Sequence, residues 1–591
     1  MKELMYPFDN TYILKNKKKL KKILEENKFS IEKKIAILGG STTNDITKVL
    51  ELFLLNYRIK PIFYESEYNK YYEDAIFDNE QLESFHPEII YIHTTYRNIT
   101  SFPHPANTKE EVESLKLHEY NRFESIWNKL FERFPNVIII QNNFEMPFYR
   151  LLGNLEVTDI HGKINYINEL NSMFYKFANE HRNFYINDIN YLSAEYGLEK
   201  WHDLSVYYLY KYALDINAIP NLSFNIAKII KAICAQNKKV FAIDLDNTMW
   251  GGIIGDDGVE NIQIGKETAA GEGYYEFQGY LKEHKNIGVS LTIASKNEHE
   301  NALIGLNHPS GILRPEDFIT IKANWNPKNI NIVSTANEMN LTPDSFVFLD
   351  DNPMERDIVY KNIDNIAVPE LDKIENYIKI VDRNGYFESL GISSEDLKRD
   401  AMYKENYQRN ELLTKFENYE DYLRSLNMIS IIKPFDEIAY NRLSQLSNKS
   451  NQFNLTTKRY SVSEIEAVAN DNTYITLYGD LKDVFGDNGI VSLVIGKIKE
   501  NELLVDLWIM SCRVLKRGME QAMMDKLVEK CHEFNINTIK GFYYPTAKNK
   551  MVKDFYSEFG FNKISEDAEG NTVWQLNVSE YKKKNEIIEV K

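Results

Sequence analysis

Cysteine is scarce in this chain, with three residues (Cys234, Cys512 and Cys531) in 591. Three widely spaced cysteines are too few for a disulfide framework and are typical of a reducing compartment. The N-terminal residues lack the apolar core of a secretory signal, and no apolar run reaches the length of a membrane span. The sequence therefore predicts a cytoplasmic protein that does not enter a membrane.

Positively charged residues are also in deficit: the sequence has 70 Lys and Arg against 87 Asp and Glu, which gives a net charge of −17. General nucleic-acid binding requires a basic footprint, so this class of function is excluded. The lysine-rich stretch from Lys15 to Lys22 is predicted to be the solvated face of a helix. A local basic patch could still bind an acidic protein.

The length exceeds what one hydrophobic core supports and predicts several domains. Buried runs such as "KIAILGG", "EIIYIH" and "NVIIIQ" predict a parallel sheet in residues 1–235, and "KKVFAIDLD", "VSLTIAS" and "SFVFLDD" predict a second one in residues 236–370. A charged helical connector is expected over 371–427. Strands "IVSLVIGKI" and "ELLVDLWIM" with a following helix predict an α+β domain over 428–591. The fold class is thus α/β and multidomain, with two doubly wound sheets.

Two acids, Asp244 and Asp246, follow the first strand of the second sheet in "FAIDLDNT". Residues i and i+2 of an extended segment project to the same side, so both carboxylates can meet at the carboxyl edge of the sheet. Two anions held together require a cation or a proton between them. A hard cation with oxygen ligands, Mg²⁺, is the predicted partner.

Further polar residues follow the later strands in order. Ser295 ends one strand, and "NWNPKN" predicts Asn326 as a helix N-cap with Lys328 in the first turn. A lysine at a helix start favours a phosphate, and Lys322 is the competing lysine. Asp350 and Asp351 end another strand and add candidate metal ligands.

The order D-x-D-x-T, serine, lysine and DD resembles the haloacid dehalogenase (HAD) superfamily of phosphohydrolases. That resemblance implies that Asp244 is the nucleophile and that Asp246 is the acid for the leaving group, then the base for water. It also implies a phosphate-binding set of Ser295, Lys328 and Thr248. The implied magnesium ligands are Asp244, Asp246 through its carbonyl, Asp351 and Asp350. The spacing between motifs leaves no room for a large cap, which predicts an open site.

The flanking sequences resemble the FkbH-like proteins of the HAD superfamily. "DLDNTMWGGIIGDDG" and "FLDDNPMERD" carry the central resemblance, "IAILGGSTTNDI" resembles their SGNH-hydrolase-like N-terminal region, and "YYPTAKNKMVKDFYSEFGF" resembles their C-terminal domain related to GNAT acyltransferases. The family implies transfer of a glyceryl unit from 1,3-bisphosphoglycerate to an acyl carrier protein with loss of phosphate. An acyl-thioester relay would want a cysteine in the HAD loops, whereas residues 235–511 contain none.

The SGNH-like resemblance implies a nucleophile at Ser41 and a base at His202, with Glu199 as its orienting acid and Asn98 as a weak substitute for the oxyanion residue. The alternative is a degenerate scaffold in which Ser41 only caps a helix.

The GNAT-like turn "CRVLKRGMEQ" implies CoA or a phosphopantetheine arm at Arg513, Arg517 and Gly518. Glu520 stands where that pattern wants a small residue, and Arg513, Lys516 and Arg517 are candidate contacts for an acidic carrier.

Three hypotheses for the whole chain therefore stand: a glyceryl transferase that loads an acyl carrier protein, a phosphatase of a small phosphorylated metabolite, and a carrier-binding scaffold whose flanking domains are inactive.

Overall fold

The computed structural model of the protein describes residues 1–29, 31–392, 394–450, 452–546 and 549–591, without the side chains of 394–396, 449 and 512. The chain divides into two compact units, Met1–Gln236 and Asn237–Lys591. The first unit ends one residue beyond the predicted boundary at 235. The predicted boundaries at 370 and 427 both fall inside the second unit and stay predictions.

A parallel sheet forms the centre of the first unit. Its strands run in the order β2-β1-β3-β4-β5, and every neighbouring pair is parallel. The apolar runs are buried on both faces, as a sheet covered by helices on either side requires. The strands are β1 Ile31–Gly39, β2 Ile59–Glu65, β3 Ile89–His93, β4 Ile138–Asn142 and β5 Phe184–Asn187.

The helices of the first unit connect and cover these strands. The helix that follows β1 begins at Asn44 and is amphipathic, with its apolar side buried. The helices are α1 Asn10–Glu25, α2 Asn44–Asn56, α3 Tyr71–Ile76, α4 Glu80–Phe85, α5 Lys109–Arg133, α6 Lys163–Glu180, α7 Ile189–Tyr196, α8 Leu198–Trp201, α9 Leu204–Tyr210 and α10 Ile219–Ile233.

The second unit opens with another parallel sheet, in the order β8-β7-β6-β9. Apolar clusters pack against both of its faces. The strands are β6 Val240–Ile243, β7 Ser290–Ser295, β8 Phe318–Ala323 and β9 Phe346–Leu349. The helices of this part are α11 Ile254–Asp257, α12 Ala269–Asn286, α13 His299–Leu306, α14 Lys328–Glu338, α15 Pro353–Asn362, α16 Ile374–Arg383, α17 Ser394–Leu413 and α18 Tyr419–Ser425.

A largely antiparallel sheet follows, in the order β17-β18-β16-β15-β14-β13-β10-β19, with β11 on β13 and β12 on β15. The β15–β16 and β10–β19 pairs are parallel. The strands are β10 Ile429–Ser430, β11 Ile432–Lys433, β12 Phe453–Asn454, β13 Tyr474–Asp483, β14 Gly486–Lys499, β15 Glu502–Met510, β16 Thr538–Tyr543, β17 Asn562–Glu566, β18 Thr572–Asn577 and β19 Glu589–Val590. The helices are α19 Tyr440–Lys449, α20 Val462–Ala469, α21 Met519–Glu533 and α22 Phe555–Glu558.

The predicted connector contains a helix, α17, that is packed on both sides. It contacts β7, β8, α12 and α14 of the parallel sheet and β14 of the antiparallel sheet. Its buried Arg409 pairs with Asp483 at 2.7 Å, and its Asn410 donates to the carbonyl of Glu338 at 2.6 Å. The connector therefore belongs to the core of the second unit.

The predicted α/β multidomain class is confirmed by these sheets. Among the helices that the structure describes, none combines enough length with enough apolar character to cross a membrane.

Candidate active site

The carboxyl ends of β6 and β9 bring three aspartates together. Asp244 directly follows β6, and Asp350 and Asp351 directly follow β9, which pairs with β6 in parallel. One carboxylate oxygen from each lies within 4.8 Å of the others. The sequence predicted that Asp244 and Asp246 meet at this edge, with Asp350 and Asp351 as further ligands. In the structure the cluster is formed by Asp244, Asp350 and Asp351, because β6 and β9 are neighbouring parallel strands that end at the same edge.

Lys328 lies between two of these acids. Its ammonium is 3.0 Å from Asp244 Oδ1 and 2.6 Å from Asp350 Oδ2, and its side chain is buried. The competing lysine, Lys322, instead pairs with Glu338 and Ser334 on α14. The structure places Lys328, and not Lys322, beside the aspartates.

The predicted N-cap of α14 is wrong by one residue. Asn326 was expected to cap the helix, but the helix begins at Lys328 and Pro327 occupies the cap position, with φ at −53° and ψ at 134°. The side chain that organises this turn is Asn324, whose oxygen accepts hydrogen bonds from the Asn326 N–H and from Asn331. Lys328 is therefore the first residue of α14, and it still lies at the carboxyl edge of the sheet, as predicted.

The charge of this cluster is unbalanced. Three carboxylates face one ammonium, which leaves an excess of two negative charges. Burial and the charge of Asp244 raise the pKa of Asp350, although Lys328 opposes this effect. Burial and Asp244 raise the pKa of Asp351 as well. A divalent cation with oxygen ligands fits both the donor set and the charge.

Lys328 stays protonated despite its burial. Desolvation alone would lower its pKa, but the carboxylates of Asp244 and Asp350 outweigh that effect, and the pKa is raised. A permanent positive charge is thus fixed next to the predicted nucleophile, where it can hold an anionic oxygen.

Asp246 has different surroundings from the three clustered acids. Its Oδ1 accepts hydrogen bonds from Trp250 Nε1 (2.9 Å) and the Ile254 N–H (3.1 Å), and its Oδ2 accepts one from Asn297 (3.0 Å). Burial and Asp244 raise the pKa of Asp246 against these hydrogen bonds. A carboxyl with a raised pKa suits the predicted acid and base role, while the role of its carbonyl in metal binding stays a prediction.

Asn297 and Trp250 are site residues that sequence reasoning missed. Asn297 lies two residues after Ser295, and its amide contacts Asp246 across 51 positions. A lone asparagine in a loop carries no sequence signal of this role.

Thr248 and Ser295, both predicted to bind phosphate, are buried; Thr248 lies in the turn after β6 and Ser295 ends β7. The Thr248 hydroxyl accepts a hydrogen bond from the Asp351 N–H at 3.2 Å, so it holds the loop after β9. Ser295 ends β7 opposite Ala323, and its carbonyl accepts from the Asn324 N–H. Their contact with a phosphate stays a prediction.

Arg356 is a third residue that the sequence did not reveal. Its guanidinium donates to the carbonyls of Asp350 (2.8 Å) and Asp351 (2.6 Å). These bonds tie the backbone of the loop after β9 to the first turn of α15.

The SGNH-like pair of the first unit is not joined by a hydrogen bond. His202 Nε2 donates to the carbonyl of Met146 at 2.9 Å, and Ser41 Oγ has no hydrogen-bond partner among the described residues. Glu199 is exposed. The serine, histidine and acid chain that the resemblance implied is therefore not assembled, whereas Asn98 does lie beside Ser41 and donates to the carbonyl of Gly40.

The expected surface role of Arg513 and Arg517 is contradicted by their burial. Arg517 donates to Asn406 of α17 at 2.8 Å and lies 3.5 Å from Asp483. Burial and the nearby Arg409 lower the pKa of Arg517 to about 10. Arg513 contacts the side chain of Ser511 and is likewise buried. Both arginines join α17 to the antiparallel sheet and do not face a partner.

The turn at Gly518 does not fit the pyrophosphate of CoA. Gly518 caps α21 in the left-handed region, with φ at +90°. Glu520 Oε1 accepts a hydrogen bond from the Lys516 N–H at 2.9 Å, so the chain's own carboxylate uses an amide of the turn. Burial raises the pKa of Glu520. A cavity of about 420 Å³ adjoins this turn, and lysines 516 and 584 line it together with the carboxylates of Glu420, Glu520, Glu558 and Glu586.

The fold and the acid cluster of the second unit define a phosphatase-type domain of the HAD kind. A crystal structure of the N-terminal part of a Bacteroides fragilis protein, which contains a phosphatase domain and was solved with Mg, resembles the chain with a TM-score of 0.58 and 27% identity. The match covers 64% of this chain and 99% of that one.

The first unit is the part of the chain that matches a protein-family model. Residues 34–231 match the family model described as FkbH, N-terminal domain. The resemblance to FkbH-like proteins is therefore confirmed for these residues, and it stands beside the likeness to the phosphatase-containing structure. No curated protein shows a significant match.

Solved acetyltransferases match a quarter of the chain. The ribosomal-protein-S18-alanine N-acetyltransferase of Escherichia coli has a TM-score of 0.21 and 12% identity, and covers 25% of this chain and 94% of its own. A spermidine N-acetyltransferase of Vibrio cholerae, solved with CoA and spermine, has a TM-score of 0.22 and 14% identity over 26% of this chain and 98% of its own.

Proposed function

We propose that the cluster around Asp244 is a Mg²⁺-dependent phosphoryl-transfer site. The observation that carries the proposal is the buried Lys328 ammonium between Asp244 and Asp350, with Asp351 completing a group of three carboxylates. Asp244, Asp350 and Asp351 would hold the ion. When bound, Mg²⁺ would neutralise charge on the phosphate oxygens.

The chain's own residues supply the remaining chemistry. Asp244 attacks phosphorus through its carboxylate and receives the phosphoryl group as an acyl phosphate. Asp246 gives its proton to the leaving oxygen and later takes one from water, a role that its raised pKa favours. Asn297 and Trp250 hold the Asp246 carboxyl in one orientation. Lys328 fixes Asp244 and offers positive charge to the transferred group.

As the substrate class, we propose a phosphorylated three-carbon acyl donor of the 1,3-bisphosphoglycerate kind, with an acyl carrier protein as acceptor. The carrier's thiol attacks the acyl carbon, from which inorganic phosphate leaves, while Asp244 takes the phosphoryl group of the phosphate ester, so that the acyl activation is kept for the thioester. The FkbH-type N-terminal domain supports this assignment through the family resemblance. The single-turn helix α11 is short for a cap, and exposed apolar side chains follow two of the site's strand ends, Trp325 (68% exposed) and Met354 (73%). An exposed apolar rim suits docking of a carrier protein.

The proposed transferase is cytoplasmic, as the few cysteines suggest. A stand-alone phosphatase of a small phosphorylated metabolite is the second candidate, because HAD loops without cysteine offer no thioester relay. A carrier-binding scaffold is the third, and the complete acid and lysine cluster speaks against it.

The deciding experiment measures phosphate release and the mass of candidate carrier proteins after incubation with enzyme, Mg²⁺ and 1,3-bisphosphoglycerate. We expect phosphate release together with a glyceryl mass increase on the carrier, both absent in Asp244→Asn. Phosphate release without any carrier adduct would favour the simple phosphatase.

The rim is tested by point variants, because deletion of the C-terminal sheet would expose the buried contacts of α17. Trp325→Ser should lower carrier acylation roughly tenfold, as for a docking hot spot, while hydrolysis of a small phosphate ester is retained. Ile438→Ser, at an exposed side chain of the C-terminal sheet region (94% exposed), is the matched control and should change neither rate. If Trp325→Ser and Ile438→Ser acylate the carrier at the same rate, the exposed apolar surface at Trp325 and Met354 does not dock the carrier.

A further inference from the structure

The carboxyl edge of the first unit's sheet has the position of a ligand site. The strand order β2-β1-β3-β4-β5 changes direction between β1 and β3. In open α/β sheets ligands bind in the crevice at such a switch point, outside the carboxyl ends of the strands. Ser41 follows β1 at this crevice, and the turn Tyr96–Asn98 follows β3.

Buried polar atoms without partners gather at this edge. Among the described residues, no hydrogen-bond partner is found for Ser41 Oγ, Tyr96 OH, Glu145 Oε1 or His202 Nδ1. Ser41, Tyr96 and Glu145 are buried, at 4%, 7% and 0% exposure. A buried polar group without a partner costs stability, and native structures normally satisfy it with protein, water or ligand.

Direct contacts connect these groups. The Tyr96 N–H donates to Glu145 Oε2 at 3.3 Å, and the Tyr96 ring lies perpendicular to the His202 ring with centroids 5.5 Å apart. Asn98, in the same turn as Tyr96, donates to the carbonyl of Gly40, next to Ser41, at 2.9 Å. The partnerless atoms thus border one region of the edge.

The charge state of this region favours an anion. Burial raises the pKa of Glu145 to about 8, so at neutral pH its carboxyl is largely protonated and can donate. Burial lowers the pKa of His202, which is therefore neutral; its proton is on Nε2, so its Nδ1 is an acceptor and is not one of the donors to the anion. Arg97 adds a positive charge, stacked 3.9 Å from the Tyr207 ring centre and 5.2 Å from that of Tyr96, and its Nε has no partner among the described residues.

An exposed apolar rim surrounds the polar region. Helix α9 leaves Tyr208, Leu209 and Tyr210 exposed, and Thr42 fixes the end of this helix beside Ser41 by donating to the Tyr210 carbonyl at 2.7 Å. On the other side, Phe148 is exposed and lies 6.1 Å from the His202 ring. The rim offers apolar contact to a chain that leaves the polar centre.

We propose that this edge of the first unit binds an amphipathic carboxylate, with the carboxylate on the hydroxyl, carboxyl and guanidinium donors of Tyr96, Glu145 and Arg97 and the apolar chain on the rim. The site is separate from the Asp244 cluster, and the inference does not depend on the proposed function.

Calorimetric titration of the full-length chain with octanoate tests the proposal, with octylamine and octanol as probes of equal chain length. We expect octanoate to bind, and both controls to bind more weakly, because only the carboxylate meets the donors and the positive charge. Tyr96→Phe keeps the ring and removes one donor to an anion, and should weaken octanoate binding about tenfold or more. Tyr185→Phe, within β5, is the matched control and should bind as wild type.

Glu145 gives a second test. Glu145→Gln keeps a neutral donor of the same size and should retain octanoate binding, whereas Glu145→Leu should lose it. The proposal is overturned if octanoate produces no binding, which would mean that water alone satisfies these atoms. Octylamine binding as tightly as octanoate, or Tyr96→Phe binding octanoate like wild type, would overturn it as well.

Discussion

Comparing Lys328→Met with Lys322→Met tests which of the two candidate lysines belongs to the phosphate site. The substitution keeps the length of the side chain and removes the ammonium between Asp244 and Asp350, at 3.0 and 2.6 Å. Lys322→Met makes the same chemical change at a partly exposed lysine that pairs with Glu338 at the C-terminal end of α14. The two variants differ in burial and in the groups that lose a partner.

The expected magnitudes follow from these environments. Removing one partner of a buried ion pair typically costs about 3–5 kcal/mol, and protonation of the remaining acids, whose pKa values are already raised, will bring the loss toward the lower end. A partly exposed pair contributes about 0–1 kcal/mol. For the chemical step, loss of one fixed positive group at the transferred phosphate should lower kcat by about 10²–10³-fold.

The assay is phosphate release from a small aryl phosphate with saturating Mg²⁺, together with the thermal midpoint of each variant. We expect Lys328→Met to be nearly inactive and to melt earlier, while Lys322→Met resembles wild type in both. A folded Lys328→Met protein that keeps a tenth of the activity, or an equal loss in Lys322→Met, would refute the assignment.

The remaining predictions concern the acids and the turn of the C-terminal sheet. Asp244→Asn should abolish phosphate release, because the amide cannot attack phosphorus, and should raise the thermal midpoint without metal, since one repelling charge is gone. Chelation of divalent ions should stop phosphate release and Mg²⁺ should restore it, and Asp351→Ala should raise the Mg²⁺ concentration for half-maximal activity more than Asp350→Ala does. Asn297→Ala should lower kcat about tenfold or more by freeing Asp246, and leave KM nearly unchanged. Wild type should not bind CoA in calorimetry, whereas Glu520→Ala should gain affinity for pyrophosphate.

Each of these outcomes has a contrary result. Full activity in excess chelator would refute the metal dependence. A well-folded Asp244→Asn variant with a tenth of the activity would refute the assignment of Asp244 as the nucleophile. If Asn297→Ala changes only KM, then Asn297 binds the substrate and does not position the Asp246 carboxyl. Stoichiometric CoA binding by wild type would show that Glu520 does not block the turn.

Local sequence patterns were sufficient for much of the fold. Apolar runs of strand length followed by polar residues located β1, β3, β4, β6, β7 and β9, because buried parallel strands must be apolar on both faces. The order of Asp244, Lys328, Asp350 and Asp351 along the chain was informative for the same reason: each follows a strand or opens a helix, and the carboxyl edge collects such positions.

The partners of these residues could not be read in the same way. Asn297 meets Asp246, and Arg356 meets the carbonyls of the loop after β9, through side-chain directions that no periodicity encodes. The N-cap of α14 also lies one residue later than predicted, because Asn324 and not Asn326 supplies the side chain that organises the turn.

The C-terminal region shows where tertiary structure decided against the local pattern. In sequence, Arg513 and Arg517 are charges beside a glycine turn, a pattern that favours an anionic ligand. In the fold, α17 and β13 bring Asn406 and Asp483 against Arg517, from 111 and 34 positions away, and a charge among such partners is neutralised internally. The sequence by itself determined most of the parallel strands and the acids at their ends, because those depend on neighbours along the chain. Which charges meet a ligand and which meet each other depends on distant segments packing together, and only the tertiary structure decided it.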